Sequence, residues 1–293
     1  MPFPEELDMA NSINGMAERF RSRLGQRETI PLPGCYDVLS ALISEDAGFE
    51  AIFLSGYGVA ASFLGNPDIG LTTLSETAQL ARNVVDAVDV PVVVDVDDGY
   101  GNEENVSRTI YEVESAGVAA IQMEDQISPK RCGHAEGKRV LPMEQYLSKL
   151  AAALKARQTP LCIIARTDST DLDDAILRAR KYLEAGADAV IIDGLRSMEV
   201  VQRVGREVPG NKQLNLIFGG KTPILTVDEA QQAGFKILLY STPALYVVAH
   251  ALRRYMPRLR ESGTSRPSRT PAWPSTSSRS SSRRATASGP TLR

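Results

Sequence analysis

Eight short apolar runs, each bounded by turn residues, punctuate the chain at 29–33, 51–55, 90–96, 118–124, 161–166, 189–193, 214–218 and 236–241. They show no strict apolar-polar alternation, the pattern of parallel strands covered on both faces. Most segments between them have helical periodicity. At 172–185, Leu172, Ala175, Ile176, Ala179 and Leu183 share one face, with Asp173, Asp174, Arg178 and Lys181 away from it. An Ala-Gly dipeptide precedes every even-numbered run, at Gly48, Gly117, Gly186 and Gly234. Each glycine is placed to end a helix in the left-handed conformation and turn the chain into the next strand. Strands alternating with helices in this number predict a (β/α)8 barrel over 26–262, preceded by a helical segment at 1–25 and followed by a tail at 263–293. The competing arrangement is a doubly wound sheet; no Gly-x-Gly-x-x-Gly follows the first run to support it.

In such a barrel the chemistry sits at the carboxyl ends of the strands. The polar residues fall there: Ser55-Gly56-Tyr57-Gly58 after strand two, Asp95, Asp97 and Asp98 at three, Glu124-Asp125 at four, Arg166 and Asp168 at five, Asp193 at six and Asn215 within seven. Asp95-Val96-Asp97 sends both carboxylates to one side of a strand, and Glu124 on the next strand reaches the same region. Carboxylates converging without histidine suit a hard divalent cation, Mg2+ with Mn2+ as its substitute. The plainer reading is that these acids cap helices or pair with Arg166. Arg166 in turn is either a bidentate clamp for an anionic oxygen or a partner of Asp97 or Asp193. Glycines at the exits of strands two and three let backbone amides approach a bound anion, or simply form turns.

The segment 126–141 is long for a strand-to-helix loop and carries Lys130-Arg131-Cys132-Gly133-His134. Three cationic or potentially cationic neighbours lower the pKa of a thiol and make Cys132 a proton donor or nucleophile near neutral pH. As a mobile lid, the loop would deliver Cys132 to the substrate and exclude water. The alternative is a solvated loop with an incidental cysteine.

Charge is unevenly spread. The net charge is -3, yet from Thr264 onward there are six arginines and no acid, so 1–263 carries -9. An acidic body argues against general nucleic-acid binding and is compatible with a cation-dependent enzyme. No apolar run approaches the roughly 20 residues of a membrane span. With three cysteines in no closely spaced framework and no basic-then-apolar leader, a cytoplasmic protein is expected. The Ser-, Pro- and Arg-rich tail is expected to be disordered.

Together these residues resemble the isocitrate lyase and phosphoenolpyruvate mutase superfamily over roughly 26–262. Lys130 to His134 is similar to its lyase signature, and Pro67-Asp68, Asp95-x-Asp97, Glu124-Asp125, Ala165 to Asp168 and Gly220 to Pro223 fall in the family's order. The resemblance implies Mg2+ bound through Asp97, with Asp95, Asp68 and Glu124 acting directly or through waters. It implies an enolpyruvate-type intermediate from a small anionic substrate, amides near Ser55, Gly56 and Tyr57 that stabilise it, and Cys132 as proton donor with Lys130, Gly133 and His134 around it. Arg166, Asp193 and Asn215 complete the expected substrate site. Four positions depart from the methylisocitrate lyase pattern: Gln122 replaces a histidine, Asp193 a glutamate, Phe218 a glutamate and Tyr246 an arginine. Loss of that last cation disfavours a tricarboxylate. The strand-three exit and Gly219 to Pro223 look most like the carboxyphosphonoenolpyruvate phosphonomutase branch, an activity of phosphonate and phosphinate antibiotic biosynthesis. Lyases or decarboxylases of 2-hydroxy or 2-oxo acids are the alternative, and a non-enzymatic binding barrel the remote one. The family's further helix implies a homo-oligomer, and the atypical tail cannot supply that helix.

Overall fold

The computed structural model describes residues 4–131 and 137–265, with side chains from Asn14 onward. The expected tail from 266 lies outside the described residues, as do Cys132, Gly133 and His134. Eight parallel strands close into a barrel in chain order, with β1 (Ile30–Cys35) hydrogen-bonded to both β2 (Ile52–Leu54) and β8 (Ile237–Tyr240). Between these lie β3 (Val92–Asp95), β4 (Ala120–Glu124), β5 (Cys162–Thr167), β6 (Ala189–Ile192) and β7 (Lys212–Leu216). The (β/α)8 expectation holds.

Helix α1 (Pro4–Gly25) precedes β1, and α2 (Val38–Asp46) follows it. After β2 come the short α3 (Gly56–Val59), running on as a π-helical turn at Ala60–Leu64, and α4 (Leu74–Val85). Helices α5 (Glu103–Ser115), α6 (Met143–Ala156), α7 (Leu172–Glu184), α8 (Met198–Glu207) and α9 (Val227–Gln232) follow β3 to β7 in turn, and α10 (Pro243–Ser262) follows β8. Residues to Val248 form one compact unit, and the remainder of α10 belongs to a second.

The four Ala-Gly signals work as predicted. Gly48, Gly117, Gly186 and Gly234 all have φ between 79° and 112°. The next residue's N–H then donates back to the last helical turn: Phe49 to Ser44 O, Val118 to Val113 O, Ala187 to Tyr182 O and Phe235 to Ala230 O. This six-to-one bond satisfies a carbonyl the helix end leaves open.

Side-chain parity sorts the strands into two layers. Leu32, Phe53, Val93, Ala120, Ile164, Ile191 and Leu239 pack in one buried cluster, joined by Ala17, Phe20 and Leu24 of α1. The intervening residues, among them Val92, Val94, Ile121, Met123, Ile163, Ala165, Val190 and Leu214, pack with the surrounding helices. One strand begins earlier than its apolarity indicates. β7 starts at Lys212, whose buried ammonium donates to Val208 O (2.8 Å) and Gly210 O (3.2 Å). This shift leaves Phe218 beyond the strand, 81% exposed. α7 buries Ala175, Ile176 and Ala179 as expected, but also Arg178, which the periodicity had turned away.

Candidate active site

The alternation that fills the barrel also builds the site. Continued toward the carboxyl ends, the inner rows turn polar: Val93 to Asp95 and Asp97, Ala120 to Gln122 and Glu124, Ile164 to Arg166 and Asp168, Ile191 to Asp193, and Gln213 to Asn215. All of these polar residues are buried. Register sets them side by side, with Asp95 opposite Gln122 and Glu124 opposite Arg166.

At the acidic end, Lys130 Nζ lies 2.9 Å from Asp68 Oδ1 and also pairs with Asp97 Oδ1. One cationic group therefore reaches carboxylates 29 positions apart in the chain. Asp97 adopts a left-handed backbone (φ 49°) just past β3. For a non-glycine residue this typically costs about 1–3 kcal/mol. The turn is held by the Asp97 N–H on Asp95 Oδ1 (3.2 Å) and the Glu124 N–H on Asp97 O (2.8 Å). Burial pushes the Asp97 carboxyl up to about 6, against the pull of Lys130 and with the charges of Asp95 and Asp68 adding to it. Burial works against the Lys130 ammonium too, but Asp97, Glu124, Asp95 and Asp68 outweigh it and hold Lys130 well above its ordinary value. Gly56 lets the start of α3 press on this group: a Cβ there would stand 2.9 Å from Asp95 Oδ2. Ser55 caps α3, its Oγ accepting from the Gly58 N–H at 3.3 Å. Tyr57 meets Tyr246 edge to face at 6.3 Å.

Arg166 is the hub of the other half. Its Nε and Nη2 form a fork on the Asp168 carboxylate (2.7 and 3.0 Å), Nη2 also reaches Asp193 Oδ2 (3.0 Å), and Nε lies 3.3 Å from Glu124 Oε2. Burial opposes its charge; Asp168, Asp193 and Glu124 reverse the balance. The pairing with Asp193 foreseen from the sequence is present, and Asp168 and Glu124 join it. Asn215 Nδ2 donates to Asp193 Oδ1 at 3.0 Å.

Glu124 tests whether these residues suit a metal. It is 1% exposed, both its oxygens lack a hydrogen-bond partner, and burial drives its carboxyl well above the usual range. Its ion pair with Arg166 leaves the hydrogen-bonding capacity of a buried carboxylate unmet, which is costly. A cation or its waters would satisfy it, and the Lys130 ammonium already shows that Asp68 and Asp97 can share positive charge. Among the described residues no three metal-binding side chains form a ready cage. Mg2+ commonly takes one or two carboxylates and completes its shell with water and substrate oxygens, so the donor set fits that mode.

Beside the acids a cleft of about 920 Å³ opens, lined by Tyr57, Asp68, Ile69, Lys130, Arg131 and Arg139. The loop carrying the cysteine motif is pinned where it leaves and rejoins the barrel. Gln126 pairs with Val140 in an antiparallel bridge, and the Gln126 side chain bonds both the N–H and the carbonyl of Arg131.

A family model described as phosphoenolpyruvate phosphomutase matches residues 20–260. The chain belongs to that family. Its relatives include lyases and mutases. One is 2,3-dimethylmalate lyase of Eubacterium barkeri, 39% identical over 80% of this chain and 83% of that one. Another is the chloroplastic carboxyvinyl-carboxyphosphonate phosphorylmutase of Arabidopsis thaliana, 38% identical over 90% and 80%. Among solved structures, a phosphonopyruvate hydrolase complexed with oxalate and Mg2+ superposes with a TM-score of 0.78, at 27% identity over 88% of this chain and 92% of that one.

Within this family, the four departures now have surroundings. Gln122 Oε1 accepts from Gln213 Nε2 at 2.6 Å, so two neutral amides pair in the barrel interior. Asp193 is committed to Arg166 and Asn215, Phe218 is exposed, and Tyr246 meets Tyr57 edge to face. One participant escapes the sequence reading, and one is placed by it without its role. Lys138 donates to Asp168 Oδ1 at 2.8 Å, and its only signal was a lysine next to Gly137 in the long loop. Asp168 was placed at a strand end, but its fork on Arg166 depends on rotamers that no spacing reveals.

Proposed function

We propose that the protein is a Mg2+-dependent enzyme that works through an enolpyruvate-type intermediate, and within that class a carboxyphosphonoenolpyruvate phosphonomutase. The observation that carries the general reading is the buried pairing of an acidic pocket (Asp68, Asp95, Asp97, Glu124) with an adjacent guanidinium, Arg166. Asp97 and Asp68 would hold the ion, with Asp95 and Glu124 on its waters. When bound, it supplies positive charge where an enolate oxygen develops.

The chain's own residues do the rest. Arg166, released from part of its acid network, orients an anionic oxygen of the substrate through two parallel N–H donors. The Ser55 N–H is taken by Cys35 O (2.9 Å), so the Gly56 and Tyr57 amides serve as the donors for the same anion, beside Asp95, where Gly56 has no room for a side chain. Cys132, flanked in the sequence by Arg131 and His134, is the proton donor of this reading; the Lys130 ammonium is instead committed to Asp68 and Asp97. Neutral Tyr246 and exposed Phe218 offer no charge for a third carboxylate. In the mutase reading a phosphoryl group moves from an enolpyruvyl oxygen to carbon with loss of carbon dioxide, as the name of the Arabidopsis relative supports. The dimethylmalate lyase relative supports a second reading, cleavage of a 2-hydroxy acid to a 2-oxo acid.

Incubation with Mg2+ and each candidate substrate, followed by phosphorus NMR and a 2-oxo acid assay, separates the two. A new carbon-phosphorus signal is expected. A 2-oxo acid from a malate-type substrate, without that signal, would establish the lyase instead. In either assay Cys132→Ser should lower turnover by at least about 100-fold with the fold intact. Full activity would remove Cys132 from the mechanism.

A further inference from the structure

Asp125 is the first residue past β4 and continues the outward row of Ile121 and Met123, yet it is 0% exposed. A carboxylate in that apolar layer requires several partners. Its Oδ1 accepts from the Asp168 N–H (2.9 Å); its Oδ2 accepts from Thr167 Oγ1 (2.7 Å), Tyr182 OH (2.8 Å) and Arg178 Nη1 (3.2 Å). These partners are themselves fixed. The Tyr182 ring lies 4.5 Å from that of Tyr146, whose hydroxyl donates to Met123 O at 2.6 Å. Arg178 is held by Asp174 (2.6 Å) and by Leu141 O (3.0 Å), and the Leu141 N–H donates to Asp125 O at 2.8 Å.

One buried carboxylate thus ties the end of β4 to the end of β5, to α7 and to the returning end of the 126–141 loop. Its bond to the Asp168 N–H is the one that leads to the site. The Asp168 side chain holds both nitrogens of the Arg166 fork and the Lys138 ammonium, so fixing its backbone fixes where the guanidinium points.

We infer that Asp125, with Tyr182 and Arg178 behind it, is a positioning group for the Arg166 guanidinium, acting through Asp168 from outside the site. The inference rests on Arg166 as the anion clamp proposed above. A mere strut would stabilise the barrel without being coupled to Arg166. A positioning group loses its effect once the fork is gone.

A double-mutant cycle distinguishes these, with oxalate titrated calorimetrically into the full chain at saturating Mg2+ and thermal unfolding recorded for each variant. Tyr182→Phe keeps the ring and removes one donor; Asp125→Asn is harsher; Arg166→Lys keeps the charge but loses the fork. Expected losses of oxalate affinity are about 5-fold for Tyr182→Phe and about 30-fold for each of the other two, with Tyr182→Phe adding almost nothing on the Arg166→Lys background. Should Asp125→Asn fail to fold, the Tyr182→Phe cycle decides alone. Multiplicative losses in the double variant, or unchanged affinity in Tyr182→Phe, would overturn the positioning role. Undiminished oxalate binding by Arg166→Lys would instead remove the clamp, and with it the functional reading beneath this inference.

Discussion

Cys35 and Cys162 are buried free thiols, and burial pushes both up to about 12. At pH 8 neither supplies thiolate at a useful rate, whereas the sequence around Cys132 favours it. A chromogenic disulfide reagent should therefore label one thiol in the native protein and three after denaturation; rapid native labelling of two or more would contradict this assignment. At this scale legibility follows from local geometry. Asp95, Glu124 and Arg166 were visible because strand alternation dictates where each points, whereas Asp97 lies past β3 and reaches the same region through a left-handed turn. Asp68 sits in a loop without periodicity, and only the resemblance singled it out. The bonds of Asp125 to Tyr182 and Arg178 span 57 and 53 positions, and no local pattern encodes such pairs. Arg178 looked like a solvated charge because periodicity knows polarity but not partners.

At the scale of elements, the turn chemistry was the most readable feature. An Ala-Gly pair before each even strand became a positive-φ glycine closing a helix, four times over. The β7 boundary was the least readable. Lys212 and Gln213 begin that strand with polar side chains, one satisfied by carbonyls beneath the barrel and one donating to Gln122 while its own oxygen stays unpaired. Polarity hid a buried strand start. Helix packing leaves one sharp test. A Cβ on Gly205 of α8 would collide with the Ala233 carbonyl at the end of α9, a backbone atom with little room to move. Gly205→Ala should lower stability by about 1–3 kcal/mol in urea unfolding, with the Mg2+ and oxalate affinities of the folded protein unchanged. A stability equal to the parent's would show that α8 and α9 can separate without strain.

For the whole molecule, a closed ring of eight parallel strands turns a one-dimensional pattern into a site. Inner rows that are apolar near α1 and polar at the other end bring residues from β3 to β7 to one mouth. The acids gather on the β3 and β4 side, and the guanidinium stands on β5 between Glu124 and Asp193. Among the described residues no helix is long and apolar enough to cross a membrane. On the proposed function, this mouth binds a divalent cation and, through it and Arg166, an enolpyruvate-like dianion. Calorimetric titration of oxalate in Mg2+, repeated in excess chelator and with Asp97→Asn, tests it most directly. Oxalate should bind in Mg2+, with affinity falling at least about 100-fold in chelator and in the variant. Equal oxalate affinity with and without Mg2+ would contradict it.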